Sequence, residues 1–292
     1  MKFWLPIIGE QVEQARDIAR LAEETGFEGV LLADHVVVPA GFKSIHPSGQ
    51  EMVTTTMPFP DPFTTIAAMS SVTTTLRFMS YVYVLPLREP FSVAKQVGTT
   101  AILSDNRLVF GVGSGWLREE FEVMNLDFRT RGRRTDEMLD IIRDFWDDGW
   151  AEHHSDHYDF GRSAMFPVPS APIPIWAGGK SDAALRRAIR QDGWLGMNYD
   201  LDEVHERLET LATMRSEAGD RRADFEVFVI PNAMPSPELY ADLEKRGVTS
   251  TLGGAWPPGD PAFATMDAKR EAVAYFASQY LEATQKRARS SG

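Results

Sequence analysis

Two rhythms of apolar residues alternate along this chain. One is a short unbroken run, the pattern of a strand covered on both faces of a parallel sheet. The other repeats every three to four residues and marks the buried stripe of an amphipathic helix. The runs predict strands at Phe3 to Leu5, Gly29 to Ala33, Leu76 to Ser80, Leu108 to Val112, Ile173 to Ala177, Trp194 to Met197, Phe225 to Ile230 and Val248 to Leu252. Between them the stripes predict helices over Glu10 to Thr25, Asp61 to about Thr74, from Pro90, from near Thr135, then Ser181 to Arg190, Asp202 to Ala218, Pro237 to Arg246 and Met266 to about Ala288. Local signals agree with the spacing. Val12, Ala15, Ala19 and Ala22 share one face before Gly26 stops the first helix, and Pro90 opens a helix whose Val93, Ala94, Val97 and Ala101 form a single stripe.

Strict alternation of eight strands with eight helices predicts an α/β fold, a single (β/α)8 TIM barrel, and 292 residues is an ordinary length for one. Two stretches break the rhythm. Val36 to Pro60 is an insertion after the second strand, of a length that in compact domains is usually functional. Residues 150–172 form an excursion after the fourth helix, rich in His and Pro, with extended pieces. The expectation is one domain over 1–292 with a polar tail at 286–292.

Leu103 to Glu137 carries the most chemistry. It offers a helix end, a turn at Asp105-Asn106, the strand Leu108 to Val112, and a loop with glycine at 111, 113 and 115, where a missing Cβ lets backbone approach a flat or phosphorylated ligand. A plain strand-to-loop turn would look similar. The full run Leu-Ser-Asp-Asn-Arg, an apolar strand, Gly-Val-Gly-Ser-Gly-Trp, Glu-Glu-Phe, then Arg131 to Arg134 and Asp136-Glu137 closely resembles the signature of the bacterial luciferase-like flavin and deazaflavin oxidoreductases. That family has the (β/α)8 fold.

The charge balance narrows the partners. Thirty Lys and Arg against 42 Asp and Glu give −12, which repels nucleic acid and anionic membrane. The chain has no cysteine, so disulfides and thiolate metal sites are out. Met1 to Pro6 has too short an apolar run for a signal peptide, and a cytoplasmic enzyme acting on a small molecule is the expectation.

A barrel of this kind places its site at the carboxyl ends of the strands. Those ends carry Asp34-His35, Ser80-Tyr81, Gly113 to Gly115, Ala177-Gly178-Gly179-Lys180-Ser181, Asn198-Tyr199 and Gly253-Gly254. The turn from Ala177 into the next helix suits a phosphate, with Lys180 adding charge, although Ser181 as a simple helix cap fits the same residues. The remaining roles are what the resemblance implies. Asp34-His35 matches a pair in deazaflavin-using members, whose histidine lies beside the reactive ring carbon and handles a proton; a loop-pinning His is the plainer reading. A non-proline cis peptide behind the ring falls on Ser80-Tyr81. Asn106 resembles an asparagine that contacts the cofactor pyrimidine edge, and as a turn residue it needs no such role. Arg131, Arg133 and Arg134 would hold a cofactor tail or substrate carboxylates, or support the loop by pairing Asp136, Glu137 or Glu119-Glu120. His46, His153, His154 and His157 lack metal-ligand spacing and read as surface or loop residues.

The resemblance thus implies catalytic His35 and cofactor contacts from Asp34, Ser80, Tyr81, Asn106, Ala177, Gly178, Gly179 and Lys180. The cofactor would be coenzyme F420, with hydride passed to or from an organic substrate under a lid formed by Val36 to Pro60. Reduced FMN with oxygen and a partner reductase is the alternative, and a flavin-binding barrel without turnover a third. Relatives are commonly dimers, so a homodimer is expected. No ring of lysines suggests a phosphorylated substrate; Trp4, Phe59, Tyr81, Tyr83 and Trp116 would line an apolar pocket or serve as barrel core.

Overall fold

A computed structural model of the chain describes residues 1–49, 51 and 53–281. β1 (Lys2–Pro6), α1 (Ala15–Thr25), β2 (Gly29–Leu32), α2 (Pro62–Ser70), β3 (Arg77–Ser80), β4 (Tyr83–Val84), α3 (Pro90–Leu103) and β5 (Leu108–Gly113) lead to α4 (Arg118–Val123) and α5 (Arg131–Asp147). After β6 (Trp150–His154) and β7 (Asp159–Ala164) come β8 (Ile175–Gly178), α6 (Asp182–Ala188), β9 (Gly193–Tyr199), α7 (Leu201–Glu217), β10 (Glu226–Pro231), α8 (Pro237–Lys245), β11 (Ser250–Leu252) and α9 (Met266–Phe276). The expected tail at 286–292, and the last turns of the final helix toward Ala288, lie outside the described residues.

The parallel sheet runs β3, β2, β1, β11, β10, β9, β8, β5, and β3 pairs β5, so the barrel closes; β4 adds two residues beside β5. Side chains alternate between the two faces of each strand. One set points inward and fills the barrel: Trp4, Leu31, Met79, Val109, Trp176, Leu195 and Phe228, with Leu252 against them. Trp4 and Trp176 meet edge to face with centroids 5.9 Å apart. The other set, including Phe3, Leu5, Val30, Phe78 and Phe110, packs outward under the helices, where each buried side chain contributes roughly 1.5–3 kcal/mol. The filled interior puts the cavity between the strand ends above it, at the carboxyl side of the barrel.

Helix boundaries follow their caps. Asp61 accepts from Thr64 N before Pro62, Glu89 accepts from Phe91 N and Ser92 N, and Gly26 ends α1 at φ +89°. α5 starts at Arg131 rather than near Thr135, because the Thr135 hydroxyl bonds back to the Arg131 carbonyl at 2.8 Å and so lies inside the helix. The excursion contains an antiparallel hairpin, β6 with β7, outside the barrel. Among the described residues no helix is long and apolar enough to cross a membrane.

Candidate active site

Above the interior plug a cavity of about 300 Å³ opens between the strand ends. Asp34 and His35 reach it from β2, Tyr81 and Val82 from the segment after β3, Gly113 to Gly115 from β5, Gly178 to Ser181 from β8, and Asn198 from β9. The long insertion closes over one side with His46, Pro47, Val53 and Phe59. Asp34, His35, Tyr81, Gly178, Gly179 and Lys180 therefore border a single space. Ser80 and Ala177 sit just beneath, fully buried.

His35 is fixed by a residue that sequence reasoning gave another role. Its Nδ1 lies 2.8 Å from Glu120 Oε2, and Glu120 Oε1 accepts from the Val36 and Val37 amides at 2.6 and 3.2 Å. A carboxylate accepts, so Nδ1 carries the proton and Nε2 remains as the nitrogen that can take or give one. Glu120 is 1% exposed and the His35 side chain 6%, so water does not compete for this bond. Phe59 and Trp116 flank the imidazole edge to face, with centroids 4.9 and 5.9 Å away. The adjacent Glu119 holds the Lys43 and Ser44 amides at 2.8 and 3.1 Å. Burial opposes its ionisation, yet the Ser44 hydroxyl and these amides outweigh that and hold its pKa down to about 2. α4, six residues long, thus pins the insertion at two points.

Asp34 faces the cavity but its carboxylate is engaged below. Arg88 grips it with two bonds of 2.6 and 2.7 Å, and the Val84 amide donates at 2.9 Å. This pair fixes the Tyr81 to Val84 segment, whose cis bond lies at Tyr81–Val82, one residue beyond the expected Ser80-Tyr81. The Tyr81 hydroxyl donates to the Gly196 carbonyl at 2.6 Å, and burial, with Tyr199 nearby, pushes its pKa well up, so it stays protonated.

The glycines of the signature serve the protein's own packing first. A Cβ at Gly111 would stand 1.9 Å from the Ser80 carbonyl, and one at Gly113 would stand 2.6 Å from Val82 Cγ2. The Val82 side chain occupies the room these strand ends leave and forms an apolar floor of the cavity. Ser80 does not reach the cavity: its hydroxyl donates to the Gly111 carbonyl at 2.9 Å, tying β3 to β5.

At the opposite wall Gly179 turns with φ +122°, its carbonyl held by Trp194 Nε1 at 2.8 Å, and Ser181 caps α6 through Ala184 N. Lys180 lines the cavity and is paired with Glu203 at 2.8 Å.

Several expected contacts lie elsewhere. Asn106 precedes β5, at the amino end of the barrel, and donates to Ser170 Oγ at 2.9 Å; it is not among the cavity residues. Arg131 bonds the Gly115 and Phe128 carbonyls, Arg134 approaches the Tyr158 hydroxyl, and Asp136 pairs instead with Arg187 and Arg190. Trp4 and Tyr83 are core, whereas Phe59, Tyr81 and Trp116 line the cavity. Gly253 packs under the Phe27 ring. His46, read from sequence as a loop residue, stacks edge to face on Trp116 at 5.2 Å and lines the site. Burial, with His35 nearby, holds its pKa down to about 4, so it is neutral at pH 7.

The sequence model of the luciferase-like monooxygenase family matches residues 5–236. An uncharacterized protein of Mycobacterium tuberculosis (strain ATCC 25618 / H37Rv) is 37% identical over 240 residues, 81% of this chain and 83% of that protein. The FMNH(2)-dependent dimethylsulfone monooxygenase of Pseudomonas fluorescens (strain Pf0-1) is 27% identical over 212 residues, 67% of this chain and 54% of that protein. Among solved structures, the coenzyme F420 dependent tetrahydromethanopterin reductase from Methanopyrus kandleri has the same fold, with a TM-score of 0.74 at 14% identity over 96% of this chain and 98% of that one.

Proposed function

This chain belongs to the luciferase-like monooxygenase family, and on that footing we propose that its cavity holds coenzyme F420 and supports hydride transfer to or from a small organic molecule. The observation that carries the reading is His35, presented in the cavity wall with Nδ1 committed to Glu120 and Nε2 left to manage a proton. The residues present fit a tricyclic redox ring. Val82 and Tyr81 offer an apolar floor, and Gly178, Gly179, Lys180 and Ser181 meet the cavity at the amino end of α6, where a phosphate is favoured. Bound there, the deazaflavin supplies a hydride carrier with little oxygen reactivity. The chain's own part is to orient it, exclude water with the insertion that Glu119 and Glu120 hold down, and hold or deliver a proton at His35 Nε2.

Reduced FMN is the second reading, favoured by the name of the Pseudomonas relative and by Asn106, one of the residues that pointed toward deazaflavin, lying away from the cavity. It would use the same seat and a partner reductase, with oxygen as co-substrate. A homodimer belongs to both readings. The test is His35→Asn in the loaded protein: F420 affinity stays within about threefold while hydride transfer falls about 100-fold. Transfer at the wild-type rate would remove His35 from the chemistry.

A further inference from the structure

Resting on that reading, we infer that the half of the cavity beneath the insertion takes an uncharged, largely apolar carbonyl compound whose oxygen is held by His46. The two halves of the cavity differ in kind. The β8 side has the glycine turn, Lys180 and Asn198, whereas the insertion side is built from Phe59, Val53, Pro47, Trp116 and the two imidazoles. Trp116 is fixed there by edge-to-face contacts with His35, Phe42 and His46 at 5.9, 6.0 and 5.2 Å.

Charge on this side is already spent or turned elsewhere. Asp34 is held in the bidentate Arg88 pair, and Glu120 by His35 and two amides. Arg118 lies over the Phe128 ring at 4.5 Å. Burial and the nearby His35 both act against a charge on His46. Its Nδ1 lies 2.7 Å from the Ser48 hydroxyl and 3.3 Å from the Ser48 amide; with both donating to it, the imidazole proton sits on Nε2, a donor for a ligand oxygen. Among the described residues that line this side none is Lys or Arg, and burying an unpaired carboxylate is strongly unfavourable.

With the cofactor bound, this ligand would exchange a hydride with it while His35 handles the proton: in the oxidative direction the alcohol oxygen would give its proton to the Nε2 lone pair and its carbon a hydride to the oxidised cofactor, leaving the carbonyl compound and an imidazolium that releases the added proton to water. The reductive direction is the reverse, and it needs His35 first to take a proton from water at Nε2.

The test measures dissociation constants by ligand-observed NMR for 4-methylacetophenone, 4-acetylbenzoate and 4-ethyltoluene, on the full chain with and without oxidised F420. The neutral ketone should bind at least about 100-fold more tightly than the carboxylate. His46→Ala should weaken the ketone about tenfold and leave 4-ethyltoluene unchanged, while His46→Lys should narrow the gap to the carboxylate. Equal or tighter binding of the carboxylate, absence of ketone binding, or a ketone affinity indifferent to His46 would overturn the inference. F420 affinity is read separately in the same samples, so its failure counts against the cofactor assignment and not against the ligand class.

Discussion

Replacing Glu120 tests whether His35 is set up for proton transfer by its neighbour. Glu120 accepts three hydrogen bonds, and they are not equivalent. Val36 and Val37 are 44% and 37% exposed, so water can take over much of the bonding to their amides, whereas the His35 side chain at 6% has no such substitute. Glu120→Ala should therefore cost about 2–3 kcal/mol, most of it from the stranded imidazole N–H. Glu120→Gln keeps the volume and still accepts from the loop amides, at a cost of about 1–2 kcal/mol for losing a charge-assisted bond. Its amide nitrogen can also donate to Nδ1, which moves the imidazole proton to Nε2 and leaves the cavity-facing nitrogen without a lone pair. The assay is two-bond 1H–15N NMR of 15N-histidine protein, with His35→Asn supplying the assignment among six histidines. Wild type should show Nδ1–H at His35 and Glu120→Gln should show Nε2–H, with F420 affinity kept within about threefold and hydride transfer down about 10–100-fold. An unchanged tautomer together with an unchanged rate would refute the role given to Glu120.

Asp34→Asn breaks a buried bidentate pair and strands Arg88, so urea unfolding should show a loss of about 3–5 kcal/mol; a loss under 1 kcal/mol would deny that the pair anchors the Tyr81 to Val84 segment. Gly113→Ala should displace Val82 into the cavity and weaken F420 binding by about tenfold or more while the fold survives, and undiminished affinity would show that the floor is elsewhere. Because the folded His46 pKa is lowered to about 4, the unfolded chain binds more protons than the native one between about pH 6.5 and 4, so stability falls as the pH drops through that window. The Tm of wild type should therefore decline more steeply than that of His46→Asn over those pH values, and parallel curves would place His46 in water.

All eight barrel strands were legible because each is an apolar run covered on both faces, a signal that tertiary context cannot easily mask. The helix α4 was not, since its six residues are placed by Glu119 and Glu120 capturing amides of a distant insertion, and no local period records that. The same nonlocality hid His46, which depends on Trp116 for its place in the cavity wall. Asn106 shows a different failure. Matching it to a motif ignored strand direction: a residue just before β5 is at the amino end of the barrel, whereas Gly113, at the far end of that strand, is at the site. The glycines were found for the wrong reason, because Val82, brought alongside by the segment after β3, fills the space that sequence alone could only describe as vacant.

The central claim, a deazaflavin ring seated between His35 and the Gly178-Gly179 turn, is tested most directly by titrating the purified chain with oxidised F420 and, separately, with FMN, following quenching of cofactor fluorescence. The account predicts saturable F420 binding that Lys180→Ala weakens about tenfold and FMN binding at least tenfold weaker. Tight FMN binding with no response to F420 would contradict it.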